Sequence, residues 1–589
     1  MRIKGVFALS VTILSAISLT IFVSRLAAQV RAARTFTAPQ PVFSKAVAFD
    51  RSPAVRTMQR VSTMSALSFS TDAEIRPERG RVPTSKGFSG DGAVQRSILA
   101  PLVTAATIPT PLLTFDGLGN LDNPPTLRFT PPDPVGAVGP NHFVEMDNVS
   151  FAVYDKQGNL LSGPTLTGDL WQNFAVPDCT DPSGDPIVLY DKHADRWILS
   201  QLTTRGLAPP PPNPFYPAPM YDCVAISETE DPTGPYFRYA FATTQGGTFF
   251  FPDYPKYGTY GNSYVLTSRD FEQFPATSKY GISVYALEKE KMLEGDPSAR
   301  MVHFFLDSDV VPIYLMGDGL LPPDVDGDED PRGNAPAPVV GTMDQGAQYG
   351  APFDALNIFE LFVRWQDQPV ASFTLAAQLP VAEFDSTFPC TDTITPPPTS
   401  QTRSCIPQPG TTRKIDVLSY RQRPTFRLAY RNIGPYETMV TNQSVQARPG
   451  IAGVRWYEIR RTNGQYTLYQ QGTYSPDDGV NRWMGSIAMD GSGNIAVGFS
   501  VGNGSVFPGI RYTGRLRSDP LGQMTLGEGT IVDGAGSQLS RGSRWGDYSA
   551  LTVDPADDCT FWYINEYYKA TTVNLWSTRI GTFKLPGCE

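Results

Sequence analysis

The sequence predicts an all-β fold: a β-propeller of four-stranded antiparallel blades, seven in number, with six and eight as the neighbouring counts. Three observations predict it. Gly (52) and Pro (54) are both abundant among 589 residues, which favours many turns over long helices. From about residue 116 the chain reads as short alternating apolar runs separated by Gly, Asp, Asn and Pro, the texture of strands and turns. The third observation is an internal repeat.

The repeat is clearest in "PIVLYDKHADRWILSQ" (186–201) and "SIAMDGSGNIAVGFS" (486–500). Each is an apolar strand ending in Asp (Asp191, Asp490), a short turn and a second apolar strand. "SALTVDPADDCTFWYINE" (549–566) repeats the pattern around Asp554, and "FAVYDKQGNLLSG" (151–163) around Asp155. The Asp has a local reason, since its carboxylate accepts backbone N–H groups two residues on and closes the turn. Downstream, "SETEDPTGPYFRY" (227–239) and "RLRSDPLGQMT" (515–525) share Asp-Pro-x-Gly, where Pro presets the turn and Gly closes it. One unit is therefore strand, Asp turn, strand, loop, strand, Asp-Pro-x-Gly turn, strand. Fainter copies run through 256–289, 356–379 and 437–461. Repeated four-stranded units make a propeller. A single helical stretch, "ALEKEKMLEG" (286–295), stands out from this texture.

Ahead of the repeats, residues 1–28 carry Arg2 and Lys4, then an apolar run, then Ala27-Ala28. That pattern predicts a signal peptide, with a retained anchor helix as the alternative and no other membrane span. Residues 29–115 are rich in Ala, Ser, Thr, Arg and Pro without a period, and are expected to be a disordered linker or pro-region. The propeller is expected over 116–589. Six cysteines suit export, and sequence-local pairing gives Cys179–Cys223, Cys390–Cys405 and Cys559–Cys588.

Charge excludes one class of partner. Residues 31–100 hold 11 Lys/Arg against 5 Asp/Glu, but the chain beyond them holds 34 against 53. An acidic body argues against nucleic acid. The three histidines, His142, His193 and His303, are far apart, and no CxxC occurs, so no zinc site is expected. "DVDGDEDP" (324–331) sets Asp324, Asp326 and Asp328 at calcium-loop spacing. Its Gly stands at position four, no Glu stands at position twelve, and a solvated acidic turn is the expected reading. Calcium is thus a weak pattern, and no cofactor is otherwise expected. The protein is expected to be a secreted or cell-envelope monomer.

Five phrases, "GAVGPNHFVEMDNVSFAVYD", "GDPIVLYDKHADRWILSQ", "FPDYPKYGTYGNSYVLT", "RWMGSIAMDGSGNIAVGFS" and "WGDYSALTVDPADDCTFWYINEYY", resemble a group of exported bacterial sialidase-like propellers. The resemblance spans roughly residues 130–585 and implies the same architecture.

In a propeller the loops entering the inner strands converge on one mouth of the central channel. The expected entries hold Asn141 and His142, Asp185, Asp253 with Tyr254, Lys256 and Tyr257, Glu437, Arg482 with Trp483, and Trp545 with Asp547 and Tyr548. Aromatics stack on sugar rings, which gives the first reading, a propeller binding a glycan or other surface polymer. Paired carboxylates carry out glycoside chemistry, and Tyr beside an acid can be a nucleophile. Asp547, Asp253, Glu437 and Tyr254 are the catalytic candidates on this second reading, a hydrolase or lyase. A third is a structural surface protein, in which the Trp side chains pack between blades and the Asp side chains cap backbone. A sialidase needs three arginines around one carboxylate. Arg482 alone is placed at an entry by sequence, and the Ser-x-Asp-x-Gly-x-Thr-Trp box is absent.

Overall fold

The structure is a computed structural model that describes residues 36–61, 73–74, 88, 90–95, 107–181, 184–203, 219–243, 249–274, 280–346, 349–386, 404–417 and 422–588. Strands dominate it and are arranged as seven antiparallel blades. Blade I is Val135–Val138, His142–Met146, Ser150–Asp155 and Leu160–Leu166. Blade II is Ile187–Asp191, Arg196–Leu202, Tyr221–Ser227 and Tyr236–Ala242. Blade III is Phe249–Tyr260, Ser263–Phe274, Tyr280–Glu288 and Arg300–Asp307. In blade IV, Pro323–Val325 precedes Ala337–Met343, Ala355–Arg364 and Val370–Pro380. Leu321 bridges Val340, while Pro323–Val325 pairs in parallel with Leu428–Tyr430 of the next blade. Blade V is Thr425–Asn432, Glu437–Arg448, Ile451–Thr462 and Gln465–Tyr474. Blade VI is Asn481–Met489, Ile495–Gly502, Gly509–Arg515 and Glu528–Val532. Blade VII joins Ala550–Val553, Thr560–Tyr567 and Ser577–Lys584 to an outer strand from far upstream, Leu113–Gly119.

The first strands of the seven blades pack against one another in a closed ring, which makes them the inner strands. We call the end where they begin the upper end. Each meander then alternates, so first-to-second turns lie at the lower end and second-to-third turns at the upper end.

Turn chemistry follows the sequence. Asp490 accepts the N–H groups of Ser492 (3.0 Å) and Asn494 (2.9 Å), and Asp554 that of Ala556 (3.0 Å). Asp155 does the same for Gln157 and Asn159, but in the third hairpin of its blade. The first turn of blade I is instead the Gly139–Asn141 stretch. The predicted helix forms at Lys289–Glu294 and stops at Gly295, whose φ of 69° is the left-handed conformation glycine favours. Large aromatics fill the spaces between blades, with Trp171, Trp197, Trp456, Trp483, Trp545 and Trp576 fully buried.

The expected linker is corrected where its residues are described. Val42–Lys45 adds a fifth strand to the outer edge of blade III, and Ala48–Arg51 one to blade II. Phe36 packs on Phe359 of blade IV at 5.4 Å, and Val55 is buried with its N–H on Gly234 of blade II. The Val61 N–H donates to the Pro164 carbonyl of blade I at 2.8 Å. Further on, Asp91 forms a buried ion pair with Arg455 of blade V, and Gln95 bonds Met524 near blade VI. Described parts of residues 36–119 thus grip the rim of every blade. Polar composition concealed this, because the anchors are isolated residues many positions apart.

Cys179–Cys223 and Cys559–Cys588 are disulfides, as expected. Cys390 lies outside the described residues, and the Cys390–Cys405 pairing with it. The expected signal peptide, residues 1–28, lies outside them too. Among the described residues no helix is long and apolar enough to cross a membrane.

Candidate functional site at the upper end of the axis

Backbone conformation marks this end. Asp133 (φ 50°), Asp185 (31°), Tyr254 (53°), Met484 (48°) and Ser543 (56°) are left-handed although none is glycine. Asp133, Asp185 and Ser543 precede the inner strands of blades I, II and VII, and Tyr254 and Met484 lie within those of blades III and VI. Each such residue costs of order 1–3 kcal/mol and persists where the surroundings enforce it. The surroundings here are side chains reaching from the neighbouring blade. The Tyr254 N–H donates to Asp185 (3.1 Å), the Asp547 N–H to Asp133 (2.6 Å), and the Met484 N–H to Ser444 (3.1 Å).

These contacts assemble one charged cluster from five blades. Asp547 receives Arg544 at 2.7 Å, and Arg423 lies 3.8 Å away. The Arg423 guanidinium sits 3.6 Å from the centre of the Tyr254 ring. In blade III a bulge between Asp253 and Lys256 interrupts the ladder. Lys256 Nζ lies between the Tyr254 and Tyr548 rings, 3.2 and 3.3 Å from their centres. Burial, and then Arg423, hold its ammonium well below the ordinary lysine range. Burial and the charge of Asp547 push the Asp133 carboxyl up to about 6, against the pull of Arg544. Burial also pushes Glu566 well up, although it accepts the Gly546 N–H at 2.5 Å.

Of the residues chosen by sequence, the structure brings together Asp185, Tyr254, Lys256, Asp547 and Tyr548. Asp253 sits on the same bulge, half-buried. Asp547 keeps a tenth of its side chain exposed, while Tyr548 is buried, with its hydroxyl on the Pro255 carbonyl at 3.2 Å. Tyr257 points elsewhere, to Asp222 inside the core. Trp483 and Trp545 meet edge-to-face at 5.7 Å beneath Ile406, Ile415 and Val417 and serve packing.

Three expected positions are corrected, and a fourth residue keeps its place while its side chain is taken. Asn141, His142 and Glu437 open second strands, which start at the lower end. Glu437 is gripped there by Arg461 and Tyr430. The reason is the meander itself: misplacing a residue by one strand moves it to the opposite face. Arg482 begins an inner strand, but Asp478 (2.7 Å) and Glu528 (2.7 Å) on its own blade take its guanidinium.

Sequence reasoning missed Asp133, Arg423, Arg544 and Glu566. A signal existed for two of them, because Asp133 and Arg423 stand two residues before the inner strands of blades I and V. The weak calcium pattern has cationic partners: Asp324 and Asp326 both hold Arg427 at 2.8 Å, and Asp328 holds Lys192.

Comparison with known proteins adds little beyond fold. No family model matches the chain, and no curated protein matches it by sequence. Among solved structures it is similar to the Hadza microbial sialidase Hz136, at 8% identity and a TM-score of 0.30, over 76% of this chain and 74% of that one. A thermostable family-43 glycoside hydrolase gives 10% and 0.24 over 71% and 97%. A mutant α-L-arabinanase from Cellvibrio cellulosa gives 11% and 0.22 over 54% and 86%. Likenesses this low bear on neither activity nor ligand. The architecture assigned here rests on the strand pairing itself.

Proposed function

We propose that the protein is an exported propeller that binds a glycan or another surface polymer at the upper end of its axis. The observation that carries this reading is the set of left-handed residues entering five blades, around which Asp133, Asp185, Tyr254, Arg423, Arg544 and Asp547 are gathered. Asp195, Asn463 and Asp558 are left-handed in lower-end hairpin turns, where short polar residues tolerate it, but Tyr254 and Met484 hold that conformation inside inner strands that no turn interrupts, and strain of that kind points to function where it gathers. The way the carboxylates are used favours binding over catalysis. Asp133 spends one oxygen on the Asp547 N–H and the other on Asn148, and Asp185 and Glu566 each accept a backbone N–H. They shape the site, and Asp547, with its arginines and partial exposure, is the group left to meet a ligand. The two disulfides fit an oxidising compartment.

One observation favours the enzymatic reading. A carboxyl raised to about 6 beside a second carboxylate is the arrangement of an acid–base pair. A glycan array on the wild type and Asp547→Asn, followed by a product assay on every hit, separates the readings. Binding lost in Asp547→Asn without products supports recognition, and products would establish catalysis. Binding unchanged in Asp547→Asn removes the site.

A further inference from the structure

A cavity of about 460 Å³ opens at the lower end, between blades III and IV and away from the axis. Three walls form it: the blade III hairpin Tyr260–Ser263, the segment 330–337, and the end of the strand Ala355–Arg364. Side chains tie these walls to one another. Asn262 donates to the Val363 carbonyl at 3.2 Å, and Trp365 donates back to Ser263 at 3.0 Å. From blade V, Arg461 reaches the Pro336 carbonyl (2.9 Å) and the Tyr260 hydroxyl (2.8 Å). Tyr260 is further fixed edge-on to Tyr430 at 5.2 Å. The ties fix the walls and leave the space between them open. At two wall tips stand Gly261 and Gly333, with φ of 53° and 54° and nothing within 4 Å of where a Cβ would be. Both walls stay low, and their backbone groups stay within reach.

We propose that this cleft binds a neutral saccharide of one or two rings. Its volume falls in the range of small-molecule sites, roughly 300–1,000 Å³. The half-buried Phe362, backed by the buried Val265 and Leu361, offers an apolar surface for the C–H face of a sugar. The exposed Asn334 stands at the rim, where an amide exchanges hydrogen bonds with hydroxyls; Asn262 is held by Val363 and Ser263 and shapes the wall. The charged side chain on the lining is Asp330, which disfavours uronic and sialic acids. The site is separate from the cluster at the upper end, and a protein holding both would engage a long glycan at two points.

The test is saturation-transfer NMR on the full chain with methyl glucoside, methyl galactoside, lactose, cellobiose and glucuronate. The expected result is saturable binding of a neutral sugar with Kd in the millimolar range. Asn334→Trp and Ala335→Trp, two fillings of the cleft from its surface wall, should each weaken it at least about tenfold, and Asp547→Asn should leave it unchanged. No saturable binding up to about 10 mM overturns the proposal. So does binding that survives both fillings, or a preference for glucuronate. Loss in Asp547→Asn alone would place the sugar at the upper end, which supports the axial reading and refutes this one. Asn334 is exposed, so that variant keeps the test decisive if Ala335→Trp does not fold.

Discussion

Removing the Asp91 carboxylate should destabilise the protein far more than its place in a low-complexity segment suggests. Asp91 and Arg455 are both fully buried, with Oδ1 and Nη1 3.1 Å apart. Asp91 also accepts Thr473 Oγ1 at 2.9 Å and the Ala93 N–H at 2.8 Å. In Asp91→Ala, Arg455 keeps the Ala382 carbonyl (2.7 Å) and Gln471 (2.7 Å) but has no counter-charge from Asp91. Breaking a buried pair from one side costs about 3–5 kcal/mol. Asp91→Asn keeps one acceptor oxygen, turns the other into an NH2 and loses the charge, so about 1–3 kcal/mol is expected. Replacing both partners, as Asp91→Leu with Arg455→Met, should recover most of the loss, since apolar substitutes for a buried pair are often neutral. Urea unfolding of these four proteins and of the single variants Asp91→Leu and Arg455→Met measures all of this. An Asp91→Ala protein within about 0.5 kcal/mol of wild type would refute the reasoning. So would a double variant as unstable as the two single effects added.

Stability should also fall as pH rises. Burial lifts Glu145 to about 8, and Asp147, Asp222 and Asp270 each to about 7. The folded state keeps protons that the unfolded chain releases near pH ~4, so this contribution is full below about pH 4 and lost as pH rises through about 8. Glu145→Gln should flatten the fall in urea midpoint between about pH 5 and about pH 9; an unchanged slope would exclude Glu145 as a source. His303, held down to about 3 by burial, opposes this trend as pH falls below about 6.5. Gly117→Ala should detach the outer strand of blade VII, because a Cβ there meets Glu145 at 2.2 Å and Thr578 at 2.4 Å; hydrogen exchange at Leu113–Gly119 reads it, and unchanged protection would count against it. Cys588→Ser opens a loop of 29 residues, worth roughly 3–4 kcal/mol; an unchanged urea midpoint under oxidising conditions would show that the bridge does not stabilise the last blade.

Blade architecture was legible because its signals are local. An Asp that closes its own turn and a Pro-x-Gly that reverses the chain act within four residues, as at Asp490 and Asp231. The candidate site was half legible. Asp185, Tyr254 and Asp547 stand beside strands whose order the sequence displays. Glu437 and His142 were misplaced because alternation tells inward from outward but not upper from lower. Glu566 was hidden for another reason: its partner, Gly546, becomes a neighbour only after the chain turns through blade VII. Arg544 is three residues from its partner Asp547, but it precedes the strand entry and nothing in the repeat marks it. The rim strands were least visible. Val42–Lys45 finds its partner at Arg300–His303, and nothing in four residues announces a pairing that distant.

Blade VII, built from Leu113–Gly119 and the three strands after Ala550, also sets an order of events during synthesis. Blades I to VI can each form from contiguous chain as it leaves the ribosome or a translocation pore. The outer strand of blade VII cannot, because Gly119 must wait for Ser577. Until then Leu113–Gly119 is an unpaired edge, a template for the wrong neighbour. Such a long closure also makes the last step slow. The strands at 42–51 meet a different schedule, since both partners, Tyr239 and Val302, emerge well before blade V. The nascent protein is therefore clamped at blades II and III while its ring is still open on the other side. Export in an unfolded state would release all partners together and remove that waiting time.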